Sequence, residues 1–255
     1  MIELKRIDDH FFCTISLNNK EALMLFDTAA GISYISEEYA ENCKVVGKAK
    51  SAGQTGNFGS VKLVKELNNI IIDGITFKTH NFLIDEKFKK HFSCDGVLGS
   101  DLLTKMNLKI DFKNDTFSFN PKHLEKGIPF SINKNKIFFN PSINGTEIEN
   151  LIFDTGASNL SIEKELSSKL NLGLIKSDPE LQICDSNGNL IEFENYNVTK
   201  FKLDNLIKHN VSTYGYSFVN SRKLKNFNQN GIIGKSVFDG HTFEFDFGSK
   251  FCIIE

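Results

Sequence analysis

The phrase LMLFDTAAGISYIS at 23–36 returns in altered form as LIFDTGASNLSI at 151–162. Each copy runs an apolar, strand-like segment straight into an aspartate, Asp27 or Asp154, and then into threonine and small residues. A charge set directly behind a core strand is expensive to desolvate unless it is paired, hydrogen-bonded or used. Two such placements 127 residues apart, close to half of a 255-residue chain, call for a fold that uses one unit twice.

Further landmarks repeat in the same order. A Gly-bearing polar hairpin follows each aspartate turn, SAGQTGNFGSV at 51–61 and CDSNGNLIEF at 184–193. Next comes DGVLGSDLL at 95–103, echoed by NGIIGKSVF at 230–238, and last a strand carrying aspartate, LKIDF at 108–112 and FEFDF at 243–247. The offset grows to 135 at Gly99/Gly234 and Asp111/Asp246, so the second copy holds eight extra residues after its aspartate. The Pro- and Lys-containing bridge NPKHLEKGIP at 120–129 marks the join, which divides the chain into 1–122 and 123–255.

The pattern within each half is all-β with a few short helices. HFFCTISL, NNIIIDGITF, KIFFNPSI, VTKFKL and HTFEFDF alternate or bunch apolar, β-branched and aromatic residues between Asn, Gly and Asp turns. Asn18–Lys20 and Asn144–Thr146 read as hairpin turns leading toward the two aspartate strands. Helical signals are confined to 36–44, 100–106 and 162–170, each opening on Ser or beside acidic residues.

Composition narrows the function. The net charge of −2 and the presence of only two arginines, Arg6 and Arg222, give no electrostatic reason to bind nucleic acid or an anionic membrane. Five cysteines, Cys13, Cys43, Cys94, Cys184 and Cys252, are scattered without a CxxC pair, and the six histidines are isolated. That spacing supplies no metal site and calls for no cofactor, and it suits free thiols in a reducing compartment. No apolar run reaches the length of a membrane helix, and the N-terminal MIELKRIDDHFF lacks the pattern of a signal peptide, so the cytoplasm is the expected location.

Facing copies of one fold would bring Asp27 and Asp154 together on a pseudo-twofold axis. Two carboxylates a few ångströms apart cannot both ionise cheaply and share a proton. The ionised partner can take a proton from water while the protonated one polarises a carbonyl, which is amide hydrolysis without metal, serine or cysteine. The glycine hairpins would suit covers over such a cleft.

FDTGAS resembles the active-site turn of aspartic proteases, and GVLGSDLL with GIIGKSVF resembles their apolar-apolar-Gly element. The half-length and the ending LKIDFKNDTFSF are similar to the retropepsin-like branch, particularly its bacterial members, here fused in tandem as a bilobal β-barrel-type structure like pepsin. The resemblance implies Asp27 and Asp154 as catalytic aspartates, one from each lobe, and an extended polypeptide as substrate of a monomeric enzyme. Thr28 and Thr155 match threonines that lock the two turns together; Ala29 and Gly156 occupy the position after them. The hairpins around Gly53–Gly59 and Asp185–Asn189 match the flaps. Ala29 departs from the family's glycine, and a left-handed backbone there would strain it by about 1 kcal/mol. Ala30 and Ala157 stand where pepsin-like enzymes commonly carry Ser or Thr, so the pair should keep its proton to higher pH.

Three functional classes stay open at this point: a peptidase with one composite site, a peptide-gripping module weakened or silenced by Ala29, and a homodimer whose halves never face each other within a chain. Asp27 and Asp154 also have a plainer reading as turn residues. Asp111 and Asp246 alternate with Phe and are expected on a solvent-facing outer strand. Cys94 and Cys184 are expected to pack, with no histidine repeated beside them, and the basic runs at 87–90 and 222–225 to be solvated loops.

Overall fold

A computed structural model describes residues 1–52, 58–86, 89, 92–119, 122–175, 182–184, 190–218 and 228–255. Three large sheets and one two-stranded ribbon organise them. One sheet of eight strands is built within residues 5–99, and a second of ten within residues 131–233. The third, of six strands, runs Ile2–Glu3, Thr116–Phe119, Leu108–Asp111, Thr242–Asp246, Phe251–Ile254, Ile128–Pro129 and draws three strands from each half.

The halves meet in the middle of this bridging sheet, where Leu108–Asp111 pairs antiparallel with Thr242–Asp246. Ile110 faces Phe243 and Leu108 faces Phe245, and the Lys109 ammonium bonds Glu244 Oε1 at 2.9 Å across the seam. The phenylalanines gather above it. Phe112, Phe117, Phe153, Phe238 and Phe243 are all buried, with ring centroids 4.4 Å apart for Phe112–Phe238 and 4.9 Å for Phe153–Phe243. Each buried ring contributes about 2 kcal/mol of transfer free energy, so the cluster under the two aspartate strands binds one half to the other.

Within the first lobe the two-residue period does what the sequence asks. His10–Leu17 buries Phe11, Cys13, Ile15 and Leu17, and Lys20–Asp27 buries Ala22, Met24 and Phe26. Asn18 and Asn19, at φ 49° and 64°, close the hairpin between them in the left-handed region that Asn tolerates. Asn144 and Gly145, at φ 50° and 86°, make the corresponding tight turn in the second lobe.

The apolar-apolar-Gly elements lie directly beside the aspartates. Lys20–Asp27 runs parallel to Gly96–Gly99, with Asp27 opposite Gly99, and Leu151–Phe153 runs parallel to Gly231–Ile233. Their glycines repeat because the backbone passes too close for a side chain. A Cβ on Gly99 would meet Ala30 O at 2.5 Å, and one on Gly234 would meet Asn159 O at 2.4 Å.

Helix is scarcer than the sequence suggests. The 36–44 segment gives one 3₁₀ turn, Glu37–Tyr39, before Lys44 starts a strand; 100–106 gives Ser100–Leu103; and 162–170 gives Leu166–Lys169, because Leu160–Glu163 is buried strand. None has a side-chain cap bond, and single turns this short persist only through packing. Among the described residues no helix is long and apolar enough to cross a membrane.

The outer-strand expectation for the repeated aspartates fails at Asp246. This residue is 2% exposed, and its carboxylate accepts from the N–H groups of Leu124, Gly248 and Ser249 at 2.8, 2.9 and 3.2 Å. Burial alone would raise its pKa, but those donors hold it well below the ordinary carboxylate range. Asp111 is partly buried and likewise accepts from Lys113 and Asn114 N–H at 3.0 and 3.2 Å. Both aspartates close the tight hairpins of the bridging sheet, a role that strand alternation does not reveal.

Candidate active site

Asp27 ends its strand and Asp154 directly follows Phe153, so both turns emerge from the Phe core at the same level. Thr28 and Thr155, 0% and 1% exposed, join them by four crossed hydrogen bonds. Thr28 N–H donates to Thr155 Oγ1 at 3.0 Å, and the Thr28 hydroxyl to Phe153 O at 2.8 Å. Thr155 returns both bonds, from its N–H to Thr28 Oγ1 at 3.1 Å and from its hydroxyl to Phe26 O at 2.7 Å. Each β-branched hydroxyl donates once and accepts once, which leaves no orphaned group at the buried junction.

The carboxyls are brought together but not treated alike. Asp27 Oδ1 accepts from the N–H groups of Ala29 and Ala30 at 2.8 and 2.9 Å, and the side chain is partly buried. Asp154 is 3% exposed, and its Oδ1 accepts from Gly156 N–H at 2.9 Å. Burial raises the pKa of both. For Asp154 the charge of Asp27 and a hydrogen bond to it push further the same way, to about 8, against the opposing pull of Lys136 and Gly156. For Asp27 the two N–H donors oppose the rise. The N–H donors therefore favour the ionised form more at Asp27 than at Asp154.

Position two of the turn shows why the copies differ. A Cβ at Gly156 would stand 2.9 Å from Asp27 Cγ and 3.2 Å from Asp154 Oδ1, so only glycine leaves the pair undisturbed. Ala29 has no such conflict. Its φ is not in the left-handed region, its N–H still serves Asp27, and its methyl packs against Phe138 and Ile152 of the second lobe.

Behind the turns the scaffolds also diverge. In the first lobe Asp101 accepts from the Ser33 hydroxyl at 2.6 Å and Ser33 N–H at 3.0 Å, and lies 2.8 Å from His80 Nε2. Ser33 Oγ accepts Gly99 N–H at 3.0 Å. The second lobe has Ser236 in the place of Asp101, its Oγ accepting Leu160 N–H at 3.2 Å. Sequence reading passed over Asp101, Ser33 and His80, and also His10 and Lys136, whose charges act on the aspartates. A signal for the last two was present: His10 and Lys136 open strands 126 residues apart and precede FF and IFF.

The expected flap of the first lobe is a hairpin of Lys44–Ala52 and Phe58–Ile72, paired up to Ala52 and Phe58; its tip at 53–57 lies outside the described residues. In the second lobe Ile183–Cys184 pairs with Leu190–Ile191, and 185–189 lies outside them too. So do the side chain of Cys184 and the 222–225 run. Cys94 is buried against Phe12, Leu25 and Val97, with burial pushing its thiol up, which fits packing and not nucleophilic attack. Among the described residues no cluster of three or more His, Cys, Asp or Glu could hold a metal ion.

A model of the aspartyl protease family matches residues 140–237, which include Asp154, Thr155, Gly156 and Gly234. No curated protein sequence matches the chain. The crystal structure of basic 7S globulin from soybean is similar over 98% of this chain and 92% of its own, with a TM-score of 0.54 and 9% identity, which establishes a shared bilobal fold.

Proposed function

We propose that the chain is an aspartic endopeptidase with a single composite site, the halves 1–122 and 123–255 acting as the two lobes of a monomer. The observation that carries this reading is a pair of aspartates, one from each half, whose carboxyls meet at Gly156 with unequal N–H donors on a threonine-locked frame. The aspartyl protease match at 140–237 and the pepsin-like fold support it.

In this mechanism ionised Asp27 removes a proton from a water molecule whose oxygen adds to the peptide carbonyl carbon. Protonated Asp154 donates to the carbonyl oxygen, giving a neutral tetrahedral diol. Return of a proton from Asp27 to the amide nitrogen lets the C–N bond break, with Asp154 recovering its own proton from the collapsing diol. The buried threonine frame holds the two carboxyls in register, so their orientation requires little reorganisation during reaction.

An unfolded protein incubated with the intact chain, with and without a statine-type inhibitor, tests the proposal. Cleavage abolished by the inhibitor is the expected result. Binding of the peptide without cleavage would instead identify a non-cutting peptide grip, and a solution mass of two chains with an inactive monomer would favour a homodimer. The cytoplasmic assignment belongs to the same proposal, and cell fractionation checks it.

A further inference from the structure

Lys136 is placed oddly for a lysine. It opens the strand Lys136–Phe139 immediately after the turn at Lys134–Asn135, whose φ values are 51° and 64°. That turn of the second lobe is docked on the first aspartate loop. Asn135 Nδ2 donates to Gly31 O at 2.9 Å, and a Cβ on Gly31 would meet Lys134 O at 2.9 Å and Lys136 Cε at 3.8 Å. The stem of Lys136 therefore reaches the loop that begins at Asp27, and residue 31 lacks a side chain because the Lys134 carbonyl passes too close for one. Two positions further, Phe138 belongs to the apolar pair against which Ala29 packs, so Lys136 and Phe138 both lie beside the first aspartate turn.

We propose that Lys136 is a positioning residue for the dyad, the counter-charge that fixes the pH range over which the two aspartates hold one proton between them. The inference rests on the endopeptidase reading for its functional meaning, but not for its test. The groups involved are few. Burial acts most strongly on Lys136 and holds its pKa below the ordinary lysine range, while the charges of Asp154 and Asp27 favour its ionised form and Lys134 opposes it. Asp27 also feels His10 from the first lobe, and the Tyr216 hydroxyl lies in the field of Asp154.

The sign follows from electrostatics. A cation beside the pair stabilises each ionised form and lowers both proton affinities, opposing the rise that burial causes. Without it the pair would take up its first proton, and then its second, at higher pH. The equivalent residue in the first lobe, His10, has its pKa lowered by burial and is a weaker cation near neutrality, so the field across the dyad is one-sided. The fold thus places a lysine on one side of the pseudo-twofold axis and, at the matching start of the first-lobe strand, a histidine on the other.

The test reads the carboxyls directly. Protein labelled with ¹³C at the aspartate carboxyls is titrated by NMR as wild type, Lys136→Met and Lys136→Arg, with Asp27→Asn and Asp154→Asn to identify the dyad signals. The Met variant should titrate higher at both steps, by about one pH unit, while the Arg variant stays close to wild type. An unchanged dyad titration in Lys136→Met would overturn the proposal. Should Lys136→Met fail to fold, Lys136→Gln carries the same comparison, and failure of both would overturn it by making the lysine a purely structural residue. A shift in a protein that cuts no peptide keeps this inference and removes the endopeptidase reading; turnover without a shift does the reverse.

Discussion

The two aspartate turns have the same framework and different interiors. Thr28 and Thr155 make matching pairs of bonds across the axis, so at that level the copies are interchangeable. One residue later the symmetry ends. Ala29 rests its methyl on Phe138 and Ile152, whereas Gly156 sits against both carboxyl groups and has no room for a methyl. Both carboxyl groups therefore lie within contact distance of the second turn's glycine. A duplicated fold gives two aspartates, and in the proposed mechanism departure from the duplication gives them separate tasks: Asp27, with two N–H donors, carries the charge, and Asp154, more buried and with fewer donors, carries the proton.

The hardest blow to this comparison is removal of either carboxyl. Asp27→Asn and Asp154→Asn should each lower kcat/KM by about 10³-fold on an unfolded-protein substrate. The double variant should be little worse, since the two act as a unit. Either single variant turning over at close to the wild-type rate would mean that the lobes do not share one site.

Exchanging the second turn positions should give unequal outcomes. Gly156→Ala forces the added methyl against Asp27 and Asp154, and a displacement of under an ångström at reacting groups is expected to lower kcat by about 10²-fold. Ala29→Gly removes only a methyl from the Phe138 and Ile152 wall. It should leave kcat unchanged or slightly raised and lower stability by about 1 kcal/mol, read by urea denaturation. Equal losses from both substitutions would show the pair to be centred and the asymmetry to be false.

The threonines should behave oppositely, as equals. Thr28→Val or Thr155→Val keeps shape but leaves a buried carbonyl and a buried N–H without partners, a loss of about 3 kcal/mol in either case. Thr28→Ser and Thr155→Ser keep the hydroxyl and should recover most of it. A large difference between the two valine variants would show that the frame is as asymmetric as the carboxyls it carries.

Much of this was legible in the residues because repeated spacing reports repeated backbone constraints. Gly99 and Gly234 recur because the chain passes within contact distance of Ala30 and Asn159, and the alternation of Phe11, Cys13, Ile15 and Leu17 in HFFCTISL reports the face turned to the main core. The site was legible as far as the repeat extends, to Asp27, Asp154, Thr28 and Thr155. What escaped was whatever breaks the repeat or depends on the third dimension. Lys136 has no lysine counterpart at His10, Asp101 is answered by Ser236, and Asp246 looks like a surface strand residue until Leu124 folds back to donate to it. The short helices misled because polar residues after Ser36 or near Glu165 favour a helical turn locally, whereas the flanking residues are claimed by strands.

The smallest expected effect is also the finest test of which aspartate does what. In the proposed mechanism the productive form holds Asp27 ionised and Asp154 protonated, so activity should rise with pH as Asp27 ionises and fall as Asp154 does. Burial raises both pKa values, and Asp154 stands at about 8, which puts the falling limb near mild alkalinity and the optimum in weak acid to neutral solution. Ala30 and Ala157 lie against apolar neighbours, Phe12 and Leu25 for one and Ile232 and Tyr216 for the other, and supply no hydroxyl. A serine donating to the ionised carboxylate would lower that pKa. At Asp154, with fewer donors, the new bond counts for more: Ala157→Ser should draw the alkaline limb of kcat/KM toward acid by about half a unit or more. At Asp27 two N–H groups already serve the charge, so Ala30→Ser should move the acid limb in the same direction by less. The first variant narrows the bell and the second widens it slightly. If Ala30→Ser moved the alkaline limb and Ala157→Ser the acid limb, the proton and the charge would have to be exchanged between the two turns.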